Sequence, residues 1–397
     1  MKKLFLSILA ISLATTALYA QVDLIKKVNE NQTNADANGF KFTKIIDLTY
    51  TPVENQGKSG TCWSYSTNSF LESEMIKAGK KPLHLSKIFS ARCAYLDKAE
   101  NYLRMDGNVN YGDGGQAHDV TNMLAKYGAM PESAYTGLIK GATGNDFGNM
   151  LDLVKKQLDK WLAAHIIPTN WRDTITAILD ARLGKVPLHF TFEGKSYTPK
   201  TFAKEYVGIH PKNYIEIMSQ TNTPYWQKTM LMVPDNWEFV SNYYNVPLDN
   251  MTKIIDYALK NGYTVEWDTD CTEPYFNWLS SVAIVPPGAD TISAMNTTKE
   301  EIKDWFSGPK QEMDITPENR QAAYNDKQTT DDHLMHIVGL AKDQNGKEYY
   351  IVKNSWGTSN VYKGFLYASK AFINYKTLAI MINKNALSEE MKAKLKL

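Results

Sequence analysis

Residues 63–77 constrain the fold more than any other stretch of this chain. They follow the loop Gly57-Lys58-Ser59-Gly60 and read as a helix rich in small polar side chains, with Ser64, Ser66, Thr67 and Ser69 beside Trp63, Phe70 and Ile76. A helix with so little apolar bulk gains little by packing one stripe on a core. It suits a central position, approached closely from several sides. The residue that starts it is Cys62, in the run Gln56-Gly-Lys-Ser-Gly-Thr-Cys62-Trp63. A helix N-terminus presents unpaired amides and the positive end of the helix dipole, which favour a thiolate, the nucleophilic form of cysteine. A buried structural cysteine is the competing reading, because free cysteine is among the most buried residue types.

The rest of the chain sorts into helices early and strands late, which argues for an α+β fold. Residues 83–104 read as a helix opened by Ser86. Another runs from Gln116 to Tyr127, stopped by Gly128 with Pro131 beyond. Residues 249–261 form a further helix closed by Gly262, and the segment 184–250 is rich in Pro, Tyr and Trp. Strands are expected over Leu334–Leu340 and Tyr349–Lys353, joined by the hairpin signal Asn345-Gly346. Leu387, Met391 and Leu395 recur every four residues and predict a short amphipathic helix.

Those two strands carry a second chemical group, His336, and lead to a third, Asn354, in Lys353-Asn354-Ser-Trp-Gly357. A two-residue turn leaves His336 and Asn354 one residue out of direct register, a step that a bulge or loop would have to absorb. A cysteine nucleophile needs a base to take its proton, and the base needs an orienting partner. His336 is preferred as the base over His333, which follows the polar run Thr329-Thr330-Asp331-Asp332 and reads as part of a loop.

With these residues in hand, the chain resembles the papain-like cysteine peptidases. Ser59-Gly60-Thr61-Cys62-Trp63 lacks the first cysteine of the papain signature, and His336 lies far beyond the ~130–150 residues that usually separate nucleophile and base. Both departures resemble the bleomycin hydrolase (aminopeptidase C) branch, which carries a large insertion, here about 137–250. Asp113-Gly114-Gly115-Gln116 and Asn245-Val246-Pro247-Leu248 are similar to that branch as well. The resemblance implies a two-lobed fold over 21–397, with a helical and a β-rich lobe facing across a cleft. It implies Cys62 as nucleophile, His336 as base, Asn354 as orienting amide and Gln56 as oxyanion donor. Trp356 would cover the histidine–asparagine contact, and Gly114 and Gly115 would approach the backbone of a peptide substrate. In that branch a C-terminal arm restricts cutting to the amino end of peptides. The tail here reads as a docked helix and no carboxylate is evident beside Cys62, so some endopeptidase activity beside aminopeptidase-like cleavage is expected. The ring-shaped homohexamer of the branch is not expected either, since the arm and a basic surface accompany it.

The alternatives are a non-catalytic peptide- or glycan-binding protein on the same fold, and an acyl or amide transferase using the same nucleophile. Forty-four bases against 43 acids give no electrostatic case for nucleic acid. No cofactor is called for. His84, His118, His165, His189 and His210 lack ligand spacing, so no metal site is expected. Residues 1–20, two lysines followed by an apolar run and Ala20, have the pattern of a secretory signal, so a periplasmic or secreted protein without a membrane anchor is expected. Cys93 and Cys271 would then either pair or lie buried and inert.

Overall fold

A computed structural model describes residues 39–292 and 296–397, together with Leu24 and Val28. The expected secretory signal at 1–20 lies outside the described residues. Five helices make one lobe: α1 (Cys62–Lys77), α2 (Lys87–Arg104), α3 (Ala117–Tyr127), α4 (Met150–Ala163) and α5 (Trp171–Leu183). They enclose an apolar core that includes Phe70, Tyr95, Met123, Val154 and Leu179. Fourteen of the sixteen residues of α1 are buried, as its small side chains require. Ser86 caps α2 by accepting a hydrogen bond from the Phe89 amide. Gly128 ends α3 at a positive φ of 93°, where any side chain would meet the backbone of Pro199.

The other lobe is built on one large sheet. Its strands are β1 (Thr43–Asp47), β4 (Tyr214–Met218), β5 (Gln227–Thr229), β6 (Tyr243–Asn245), β7 (Val265–Thr269), β8 (Phe276–Asn277), β9 (Val282–Ala283), β10 (His333–Lys342), β11 (Glu348–Lys353), β12 (Phe365–Ser369) and β13 (Thr377–Asn383). The order is β5-β6-β4-β13-β7-β10-β11-β12-β9-β8, with β1 paired to β10. Two further strands, β2 (Phe190–Phe192) and β3 (Lys195–Tyr197), form a separate hairpin. On the sheet pack α6 (Leu248–Lys260), α9 (Lys370–Lys376) and α10 (Glu389–Leu395), through a core that includes Ile255, Trp267, Phe372 and Met391. Two shorter helices, α7 (Lys299–Trp305) and α8 (Pro317–Asn325), precede β10. The terminal helix docks through Met391 and Leu395, and Leu387, just ahead of its cap Ser388, joins the same core.

The α+β reading holds. The segment 137–250 does not stand apart. Its helices α4 and α5 complete the helical core, while β4, β5 and β6 widen the sheet. No helix among the described residues is long and apolar enough to cross a membrane.

Candidate active site

The register of β10 against β11 decides which histidine meets Asn354. Next to the turn, Leu340 lies opposite Tyr350 and Gly339 opposite Ile351. A bulge then intervenes, so that Ile337 faces Val352 and His336 faces Lys353. Had the first register continued, His336 would have stood opposite Asn354. The extra residue moves β10 on by one, and a one-residue shift exchanges the faces of a strand. His336 and Lys353 now share one face, and both reach Ser69 of α1, at 2.9 and 2.8 Å. Asn354 shares its face with His333, and the His333 Nε2 to Asn354 Oδ1 distance is 2.7 Å. The expected pairing of His336 with Asn354 is therefore corrected: the partner is His333, the first residue of β10 and fully buried rather than in a loop.

The same geometry assigns the ring's tautomer. Asn354 Oδ1 also accepts from the Ser355 amide at 2.7 Å. A backbone amide only donates, so the atom facing His333 is the oxygen, and Nε2 carries the proton. Nδ1 is left with the lone pair. The Trp356 indole lies over the imidazole, with ring centres 4.6 Å apart, and so covers the contact as expected. Burial, partly offset by the Asn354 hydrogen bond, pushes the His333 pKa down to about 4. Burial and then the Lys353 charge push His336 well below its usual range.

Cys62 opens α1 beside this pair. Ser69 of α1 touches Lys353, whereas the loop ahead of α1 meets Ser355. The N-terminus of α1 thus lies at the Asn354–Trp356 end of β11, which is the His333 end of β10. Cys62 precedes Ser69 by two helical turns, about 10 Å. His333 precedes His336 by about 10 Å of strand. Nucleophile and histidine therefore stand at the same level on facing elements.

Gln56 is buried against that level. Its amide oxygen accepts from Ser355 Oγ at 2.6 Å, and its backbone N–H reaches the Ser355 carbonyl at 2.8 Å. One amide hydrogen is held by the Ser59 carbonyl at 2.8 Å. A side-chain amide carries two, so a second remains to donate. Asp113, given no role by the sequence, tightens the loop: its carboxylate accepts from the Gly60 amide at 2.6 Å, and its carbonyl from Trp63 Nε1 at 2.9 Å.

Gly114 and Gly115 are close-approach positions, though the groups that approach belong to the protein. A methyl on Gly115 would fall 2.9 Å from the Trp63 ring, and one on Gly114 would fall 1.9 Å from Asp235 Oδ2. The Gly114 carbonyl accepts from Lys98 Nζ. Past them, Gln116 spans the lobes: its amide nitrogen reaches Asp331 Oδ2 at 3.0 Å, two residues before His333. Asp331, Asp268 and Asp235, from three separate segments, influence one another here, and Asp268 and Asp331 are hydrogen-bonded to each other and to Gln116.

Two histidines expected to be scattered also meet carboxylates, in the groups Glu54–Glu72–His84 and His118–Asp119–Glu238. In the first, Lys87 already pairs with both glutamates. In the second, His118 Nδ1 bonds Glu216 at 3.1 Å, and its pKa is raised to about 9, because the neighbouring acids outweigh the cost of burial. Cys93 and Cys271 are separate, buried thiols rather than a disulfide. Burial pushes Cys93 up to about 12 and Cys271 well above the usual thiol range.

Comparison with known proteins agrees with this architecture. A sequence-family profile described as the Peptidase C1-like family matches residues 7–275 and 288–397. The chain is 22% identical over 413 aligned residues to Aminopeptidase C of Streptococcus thermophilus, covering 92% of this chain and 87% of that protein. It is 24% identical to Aminopeptidase C of Listeria monocytogenes serovar 1/2a, with 92% and 87% covered. Among solved structures, PepW of Lactobacillus rhamnosis HN001 superposes with a TM-score of 0.68 at 20% identity, covering 94% of this chain and 91% of the other.

Proposed function

Since the chain belongs to the Peptidase C1-like family of cysteine peptidases, we propose that it is an aminopeptidase in which Cys62 and His333 perform the chemistry. The observation that carries this reading is the 2.7 Å contact between His333 and Asn354 under Trp356, at the level of the α1 N-terminus. The aminopeptidase names of its relatives support the substrate class.

In this reading His333 Nδ1 takes the Cys62 thiol proton, and the thiolate attacks the carbonyl carbon of the scissile bond. The oxyanion is met by the Cys62 backbone N–H, at the start of the helix, and by the second Gln56 amide hydrogen. His333 returns the proton to the departing amine, leaving a thioester on Cys62. Water, deprotonated by His333, then releases the acid. Asn354 holds the ring in the tautomer this sequence needs, and Trp356 keeps water from that hydrogen bond. Gln116 and Asp331 close the cleft on the histidine side.

The test is a pair of variants. His333→Ala should lower kcat by ~10²–10⁴-fold, the usual worth of a positioned acid–base. His336→Ala removes the Ser69 contact and should lower the melting temperature while leaving kcat within a few-fold of the parent. The opposite pattern would return the chemistry to His336. We further propose that residues 1–20 are removed on export, which N-terminal sequencing of the mature protein checks.

A further inference from the structure

Helix α3 starts against two distant segments, and the three bring one imidazole together with three carboxylates. His118 and Asp119 are the second and third residues of α3. Glu216 belongs to β4. Glu238 belongs to the segment 231–240, which Asn236 braces by bonding the Leu231 carbonyl and both backbone groups of Val240. One donor atom from each of His118, Asp119 and Glu238 lies within 4.8 Å of the other two. Spacing along the chain gives no sign of this group, because Glu238 reaches it only through the fold.

Two of its atoms are buried and unsatisfied. His118 is 5% exposed, and its Nδ1 lies 3.1 Å from both carboxylate oxygens of Glu216. A carboxylate accepts, so Nδ1 carries the proton. Nε2, on the other side of the ring, faces Asp119 Oδ1 at 3.8 Å, too far for a hydrogen bond, and has no partner. Asp119 is fully buried. Its Oδ2 accepts from the Gln116 amide at 3.0 Å and from Trp237 Nε1 at 2.9 Å, whereas Oδ1 accepts from nothing. Buried polar atoms are normally satisfied, and leaving one bare is costly. Glu238 is half-buried and held through Oε2 by Asn122 at 2.7 Å, which leaves its other oxygen to the group. Among the described residues no lysine or arginine forms an ion pair with Asp119, Glu216 or Glu238, so three carboxylates face one imidazole.

We propose that His118 Nε2, Asp119 Oδ1 and Glu238 bind one divalent transition-metal ion, of which zinc fits the donors well. Imidazole suits such ions, whereas Ca²⁺ takes roughly six to eight oxygens. Donors around a tetrahedral zinc stand about 3.4 Å apart. The 3.8 Å pair needs little adjustment, and the half-buried Glu238 side chain can turn to close the set. Water takes the fourth position from the Glu238 side. A ligating histidine usually donates its other nitrogen to a carboxylate, which fixes the ring; Glu216 fills that place. The ion takes the Nε2 lone pair, displaces any proton held there and offsets the excess negative charge. It fastens the segment 231–240 to the start of α3, next to Gln116, whose side chain bridges to Asp331. Cys62 and His333 are not among its ligands, so its role is to hold the structure rather than to react.

The experiment uses the full chain carrying Cys62→Ser, which keeps the thiol at the start of α1 from competing for metal. The protein is stripped with a chelator, dialysed and titrated with Zn²⁺ or Co²⁺. Zn²⁺ should bind at one equivalent per chain and, near saturation, raise the melting temperature by at least ~2 °C. Bound Co²⁺ should show the visible absorption of a nitrogen–oxygen site without a thiolate-to-metal charge-transfer band. His118→Gln and Glu238→Gln should each weaken Zn²⁺ binding at least ~10-fold, while His210→Gln, at an exposed histidine, should leave it unchanged. Glu238→Gln, still able to accept from Asn122, carries the test if His118→Gln does not fold. Absence of Zn²⁺ binding, equal binding by Glu238→Gln and the parent, or stabilisation by Ca²⁺ but not by Zn²⁺ would overturn the proposal. None of these readouts involves catalysis, so the outcome is independent of the peptidase reading.

Discussion

At the scale of single residues, the site depends on a few positions with no slack. Gly115 is one. The methyl of alanine would press on the Trp63 ring and on Asp119 Oδ2, 2.6 Å away, and Trp63 adjoins the nucleophile. Gly115→Ala should cost about 1–3 kcal/mol, the usual price of overpacking, and should lower kcat because the strain falls on Cys62. Thermal melting and steady-state rates check both. Asn354 is another. Asn354→Ala should lower kcat less than His333→Ala, since the imidazole remains and only its orientation and tautomer are released. Equal losses would mean that the amide does more than orient. Cys62 was legible as a candidate from its place at a helix start, whereas the role of Gln56 came only with the family resemblance. His333 was passed over because two aspartates precede it, yet that polar run ends at the strand's first residue.

At the scale of elements, a buried ion network joins the start of α2 to the middle of α1. Lys87 pairs with Glu72 at 2.7 Å and with Glu54, while His84 lies 2.9 Å from Glu54. Burial alone would raise the Glu72 carboxyl, but Lys87 and His84 outweigh it and hold the pKa at about 2, below the ordinary 4.5. His84, despite burial, is raised from 6.5 to about 9 by the two glutamates. The signs follow. The depressed Glu72 contributes stability that is present above 4.5 and lost as pH falls toward 2. The raised His84 contributes stability that is present below 6.5 and lost as pH rises through 9. Stability should therefore have a plateau between these limits. Lys87→Met leaves two carboxylates facing each other without their buried cation and should cost about 3–5 kcal/mol. In the variant, the melting temperature should rise when the pH is lowered from 6 toward 4.5, where the parent stays on its plateau. A parent-like pH profile in Lys87→Met would show that Lys87 does not control these acids.

At the scale of the whole molecule, the three cysteines occupy different environments: Cys62 where the lobes meet, Cys93 in the helical core and Cys271 in the sheet core. A peptide-like thiol reagent should therefore modify one thiol per native chain, at Cys62, and three after denaturation, as mass analysis of labelled peptides would reveal. All three are buried, so the selectivity comes from the thiols' acidity: labelling of Cys93 or Cys271 in the native protein would contradict the upward pKa shifts that burial imposes on them. The α+β class, the helices around residues 62–127, the hairpin, the terminal helix and the cysteine's place at a helix start were all determined by local sequence, because periodicity, capping residues and turn signals act over a few residues. Tertiary structure alone decided the pairing of Asn354 with His333 and the gathering of Asp235, Asp268 and Asp331. The first depends on a single extra residue between Ile337 and Gly339, which exchanges the faces of a strand without leaving a mark in its composition. The second joins segments separated by tens of residues, and only the closing of the sheet against the helical lobe brings like charges together where neither segment by itself would place them.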